Sequence, residues 1–168
     1  LGDARLSLEA ELGRGSPQNF DVLVIDAFSS DAIPFHLLTV EAFTVYKAHL
    51  APDGLLAVHV SNRHFKLAPI IYRAGSEIGL SAISLDNLAF GMRVSTPADW
   101  VFLSRDLSRL QTFARRAVQR IDDLGLDKSR ISVGHLAPAQ YQTKPLWTDD
   151  FNSLMDVLRF AKKTPLID

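Results

Sequence analysis

Residues 19–34 read NFDVLVIDAFSSDAIP: an apolar run of Val22, Leu23, Val24 and Ile25 stops on the carboxylate of Asp26, and a second acid, Asp31, follows two serines. A short run rich in β-branched residues and bounded by polar ones is the pattern of a strand buried on both faces of a parallel sheet. An acid at the tip of such a strand is also chemically placed, because open α/β sheets bind ligands outside the carboxyl ends of their strands.

Working outward, residues 37–50 carry apolar side chains mostly at helical spacing, and Ala51-Pro52-Asp53-Gly54 is turn chemistry. Residues 55–60 (LLAVHV) predict a second buried strand, and residues 67–78 a helix closed by Gly79. Residues 81–85 and 99–104 predict two more strands, and Asp106 is placed to cap a helix over 107–124 that Gly125 stops. Residues 131–133 suggest a short strand, and Thr148 or Asp149 can cap a last helix running through residue 160. Strand and helix alternating at this spacing predicts βαβ units, a parallel sheet and right-handed crossovers. Residues 86–98 have no clean helical period, so the third and fourth strands are expected to form an antiparallel edge.

Composition narrows the function classes. The 168 residues are 47% hydrophobic and 22% charged, the profile of one globular domain, and with 18 basic against 19 acidic residues, the basic ones clustered only around Arg115–Arg120 and at Lys162-Lys163, charge does not suggest nucleic acid. With no cysteine there is no disulfide, thiolate nucleophile or thiolate metal site. No apolar run approaches the roughly 20 residues that span a bilayer. The 5 histidines show no metal-ligand spacing, and no metal is expected. Ser29, Ser30 and Ser61 lack the G-x-S-x-G elbow of serine hydrolases.

The candidate site residues are those the strand ends deliver, Asp26 and the His59-Val60-Ser61-Asn62 cluster. Asp26 could hold an ammonium group, accept its proton or orient a hydroxyl; it could equally cap the turn that follows. Asp3, after Gly2, could accept a hydrogen bond from a nucleobase amine or a ribose, or could begin a helix over residues 5–12. Asp149 and Asp150 fit either a helix N-terminus or the rim of a site. Trp100 and Trp147 read as core or rim aromatics, and Arg115, Arg116 and Arg120 as a solvated stripe.

The stretches GDARLSLE, NFDVLVIDAFSSDAIPFHLLTVEAF and HLAPDGLLAVHVSN together resemble the second half of a spermidine synthase. More narrowly, DAFSSDAIPFHLLT, HVSNR and LWTDDFNSLM resemble bacterial spermidine synthase-like domains, often fused to a membrane transporter-like region. The resemblance implies a Rossmann-like, methyltransferase-type three-layer α/β/α fold: a mainly parallel sheet with an antiparallel edge, lacking the N-terminal strands. Residues 1–168 are then a single domain, the C-terminal portion of a longer protein, cytoplasmic or the soluble part of a membrane-anchored chain. The sheet would begin at its middle strand, and its open edge would pair in a homodimer or with the missing N-terminal part.

By the resemblance, the substrates are a nucleoside, decarboxylated S-adenosylmethionine or S-adenosylmethionine itself, and a polyamine such as putrescine. Asp26 matches the catalytic aspartate, Asp3 with Ala4 the nucleoside-binding pair, and Asp26, Ser29, Asp31, His59 and Ser61 line the amine site. Two positions depart from the pattern. Ser29 stands where synthases carry a second aspartate, and His59 where they carry a glutamine; the tyrosine-rich diamine segment is not recognisable in residues 88–98. Three functions therefore compete: aminopropyl transfer, a methyltransferase-fold activity on another nucleophile, and a non-catalytic ligand-sensing or structural domain of a membrane fusion protein.

Overall fold

The computed structural model describes residues 2–26, 34–62, 64–87, 98–125 and 131–158. Ser29, Asp31 and the segment expected to shape a diamine pocket lie outside these residues. A five-stranded sheet has the order β1 (Phe20–Ile25), β2 (Leu50–His59), β4 (Ala98–Ser104), β3 (Ser81–Asn87) and β5 (Ile131–Gly134). On one face α2 (Val40–His49) and α3 (Ala68–Glu77) pack against the core with Leu8 of α1 (Ala4–Gly13) and Tyr141 of the short α5 (Pro138–Tyr141). On the other, α4 (Leu107–Asp123) lays Leu110 and Ala114 on Ile83 and Phe102.

The helix ends follow the residues that cap them. Asp3 accepts from the Leu6 amide at the start of α1, Thr39 from Ala42 at the start of α2, and Asp106 from Ser108 at the start of α4. Gly79 and Gly125, at φ of 71° and 67°, close the turns after α3 and α4 in the left-handed region that glycine enters without steric cost. The helix expected over residues 37–50 is split, because Phe35–Leu37 forms a 3-10 turn and the α-helix waits for its Thr39 cap.

The sheet is mixed, which corrects the expectation of a mainly parallel sheet with antiparallel pairing at its edge. β1 and β2 pair in parallel, whereas β2–β4, β3–β4 and β3–β5 are all antiparallel. The antiparallel hairpin expected between the third and fourth strands is present, but β4 folds back into the sheet between β2 and β3. β1, β2 and β3 still run in one direction, so their carboxyl ends share one edge with the start of β4.

Two further expectations change. Ala51, Pro52, Asp53 and Gly54 do not separate helix from strand; they form an irregularity within β2, between the pairs Phe20–Leu50 and Val22–Leu55. There a Cβ on residue 54 would sit 2.7 Å from the Phe20 carbonyl, so only glycine fits without displacement. β1 is not buried on both faces: Ile25 is in the core, while Val22 and Val24 are 55% and 53% exposed. α4 packs on β3 and β4, and β1 is an edge of the described sheet.

The alternation along β1 is testable by urea unfolding. Ile25→Ala should cost about 2–4 kcal/mol through lost burial and the cavity left behind. Val24→Thr, one residue away on the open face, should stay within about 0.5 kcal/mol of the parent.

Candidate functional site

The parallel register of β1 on β2 sets Val24 opposite Ala57 and Ile25 opposite Val58, which carries Asp26 and His59 to the same edge of the sheet. Their side chains meet there: His59 Nδ1 lies 2.8 Å from Asp26 Oδ1. His59 Nε2 lies 2.7 Å from Ser61 Oγ, and Ser61 Oγ accepts the backbone N–H of Asp99 at 2.7 Å. The imidazole stacks on Trp100 with ring centroids 4.8 Å apart. Trp100 reaches that place because it pairs with His59 across the β2–β4 ladder. Asn62 ends the cluster by accepting from the amides of His64 and Phe65, which turns the chain toward α3.

Asp26 is the most exposed group of this line. Asp26 is 54% exposed and the His59 ring 22%, while Ser61 is half-buried under the start of β4. Asp26 Oδ2 has no hydrogen-bond partner among the described residues. The arrangement therefore offers a carboxyl group, held by one oxygen, at the mouth of the sheet, suited to binding a cation or accepting its proton. On the same edge a cavity of about 410 Å³ is lined by Val60, Lys66, Ser84, Asp86, Asp99 and Lys144. Asp86 and Asp99 stand directly opposite each other in the β3–β4 ladder. A larger cavity, about 720 Å³ between α4 and β5, is lined by neither Asp26 nor His59.

Asp3 is the N-cap of α1, the structural role weighed for it, and its other oxygen lies 2.6 Å from His36 Nε2. The Leu6 amide and His36 together hold the Asp3 carboxyl below its ordinary range, so it is ionised near neutrality. Ala4 is the first residue of the helix. Asp3 and His36 share a cavity of about 560 Å³ with Arg5, Phe35 and Asp149.

Arg5 and Asp149 form the strongest ion pair of this region. The Arg5 guanidinium donates to both Asp149 oxygens at 2.6 Å, and also to Glu9, the His36 carbonyl and Thr39 Oγ1. The planar fork of arginine suits this bidentate geometry. Asp149 does not begin a helix as one reading had it: Thr148 and Phe151 close a local turn, and the described segment after it forms only a 3-10 turn, Leu154–Val157. Asp149 lies instead beside Asp3 and His36, on the cavity they line together. Sequence reasoning missed His36 and Arg5. Arg5 carried a faint signal, a cation placed among the apolar positions of a helix, whereas the approach of His36 depends on a contact 33 residues away.

The other expectations fall as follows. Trp147 is fully buried in the core, with Phe35 against it. Arg115, Arg116 and Arg120 are exposed along α4. His49 is structural: its Nε2 donates to the Leu8 carbonyl and its Nδ1 accepts from the Gln18 amide. Among the described residues no group of three or more His, Asp or Glu is placed to hold a metal, and no helix is long and apolar enough to cross a membrane.

No protein-family profile matches the chain. Among curated proteins, a probable polyamine aminopropyl transferase of Bifidobacterium longum is 35% identical over 46 residues, which is 27% of this chain and 10% of that protein. Among solved structures, a probable spermidine synthase of Corynebacterium glutamicum superposes with a TM-score of 0.54 at 16% identity, covering 88% of this chain and 52% of that one. The α/β architecture of this chain is the spermidine synthase fold, Rossmann-like and methyltransferase-type, as the motifs implied. The chain spans about half the length of that solved structure.

The Arg5–Asp149 pair gives a pH-dependent stability. Hydrogen bonds from Arg5 and Thr39 hold the folded Asp149 carboxyl below its ordinary value of 3.8. A depressed carboxyl stabilises the fold above the unfolded value and loses that contribution as pH falls through the folded one. Asp149→Asn should therefore cost about 1–2 kcal/mol at neutral pH, a figure reduced for the partial exposure of the carboxylate. The gap from the parent should close below about pH 4, as read from urea midpoints across pH.

Proposed function

We propose that the chain is an aminopropyltransferase-like domain that moves the aminopropyl group of decarboxylated S-adenosylmethionine to an amine such as putrescine, with Asp26 as the catalytic residue. The observation that carries this reading is the exposed Asp26 carboxylate at the sheet mouth, held through Oδ1 and with Oδ2 unengaged among the described residues. The similarity to a spermidine synthase fold and to an aminopropyl transferase supports it.

The chemistry requires such a group. An alkylammonium has no lone pair and must lose a proton before its nitrogen can attack the methylene beside the sulfonium. The N–C bond forms as the C–S bond breaks, sulfur keeps the electron pair as a neutral thioether, and Asp26 takes the proton. Before that step the same carboxylate attracts the cation to the site. In this reading Asp3, with Ala4, receives the nucleoside. Its oxygens already accept from Leu6 and meet His36, and the remaining lone pairs are available to an adenine amine. Ser29, Asp31, His59 and Ser61 belong to the amine side.

A second reading, methyl transfer from S-adenosylmethionine to another nucleophile, is favoured by one feature. His59 places an aromatic ring where synthases carry a flexible amide, which alters the shape of the acceptor site.

Turnover decides between them. The full chain incubated with decarboxylated S-adenosylmethionine and putrescine should release methylthioadenosine, and Asp26→Asn should lower kcat by about 100-fold or more. Undiminished turnover in Asp26→Asn would remove Asp26 from its role, and product with S-adenosylmethionine alone would favour the second reading.

A further inference from the structure

We propose that His59 is a positioning residue for Asp26, held as a single tautomer by Ser61 and the Asp99 backbone, and that it aims the carboxylate's second oxygen at the incoming amine. The inference rests on the reading of Asp26 as the proton acceptor and assigns the side chain behind it.

With a neutral imidazole, the direction of each hydrogen bond follows from the two ends of the line, a backbone N–H that can only donate and a carboxylate that can only accept. The Asp99 N–H can only donate, so Ser61 Oγ accepts there, and its own hydroxyl hydrogen remains for His59 Nε2. A neutral imidazole that accepts at Nε2 carries its proton at Nδ1. That proton points at Asp26 Oδ1, which as a carboxylate can only accept. The chain is self-consistent from backbone to carboxylate: Asp99 N–H to Ser61, Ser61 O–H to His59, His59 N–H to Asp26. Trp100 restrains the remaining freedom, because stacking on its indole fixes the plane of the ring.

Distances of 2.7 and 2.8 Å in a Ser–His–Asp line also match a nucleophilic triad. The order of exposure argues against it. In a triad the serine must face the substrate, whereas here Ser61 lies beneath the start of β4 with its oxygen engaged by a backbone N–H, and the carboxylate is the outermost group. The line therefore serves its acidic end. One oxygen of Asp26 is held, so rotation about its χ2 is restricted and the other oxygen keeps a defined direction at the sheet mouth.

Two measurements on the full chain test this. In the first, nitrogen-15 NMR of the His59 ring near neutral pH should show the Nδ1–H tautomer, and Ser61→Ala should shift the population toward Nε2–H. A wild-type ring in the Nε2–H form, or one unmoved by Ser61→Ala, would overturn the proposal. In the second, with decarboxylated S-adenosylmethionine and putrescine, His59→Ala should lower kcat by up to about 100-fold with little change in KM for the amine. His59→Asn, whose amide can reproduce the Nδ1–H donation, should recover most of that loss. His59→Ala with full kcat, or His59→Asn no better than His59→Ala, counts against it. Absence of wild-type turnover would instead sink the transferase reading, and the tautomer measurement would still decide the role of His59.

Discussion

The parallel pairing of β1 with β2 is the constraint on which the site depends. With Ile25 opposite Val58, the next residue of each strand is Asp26 and His59, and both side chains emerge on the same face. A slip of one residue would send Ile25 to the open face and separate the acid from the imidazole, because strand side chains alternate with a period of two. The hydrophobic demand of one face thus sets the chemistry at the tip. The irregularity around Gly54 belongs to the same constraint, since it absorbs the extra residues of β2 before the register that places His59 is established.

A second link closes the molecule around α1. Arg5 is almost fully buried, and its guanidinium is satisfied only by gathering Glu9, the His36 carbonyl, Thr39 and Asp149. These partners come from α1, the turn before α2 and the segment after α5, so one cation joins parts of the chain separated by up to 144 residues. The cavity beside Asp3 is bounded by this network. Burial of a charge is tolerable here because its donors are matched by acceptors, the condition under which an internal ion pair does not destabilise a fold.

Much of the architecture was legible along the chain because its signals are local. The run ending at Asp26, the apolar segment over residues 55–60, and caps such as Asp106 and Gly125 each act within a few residues, and the elements formed where those signals stood. The misreadings share a cause. Burial of β1 on both faces, the antiparallel strand placed at the edge, and a helix after Asp149 all depended on what packs against a segment, which periodicity does not encode. Val22 and Val24 look identical in pattern to core valines; their exposure follows from α4 packing on β3 and β4 instead.

By itself the sequence determined the element types, the acid at the end of the first strand and the His59–Ser61 pair two residues apart on the second, because these are consequences of short-range order. Tertiary structure decided the rest: that β4 inserts between β2 and β3, that Trp100 lies under the imidazole, and that the Asp99 amide is joined through Ser61 and His59 to Asp26. The contacts of His59 with Asp26 and Trp100, and of Ser61 with Asp99, join residues 33 to 41 positions apart, and such contacts arise only when strands pair and bury their apolar faces together. His36 reaching Asp3 and Asp149 reaching Arg5 are of the same kind: each is a polar group whose partner was supplied by the folding of distant apolar ones.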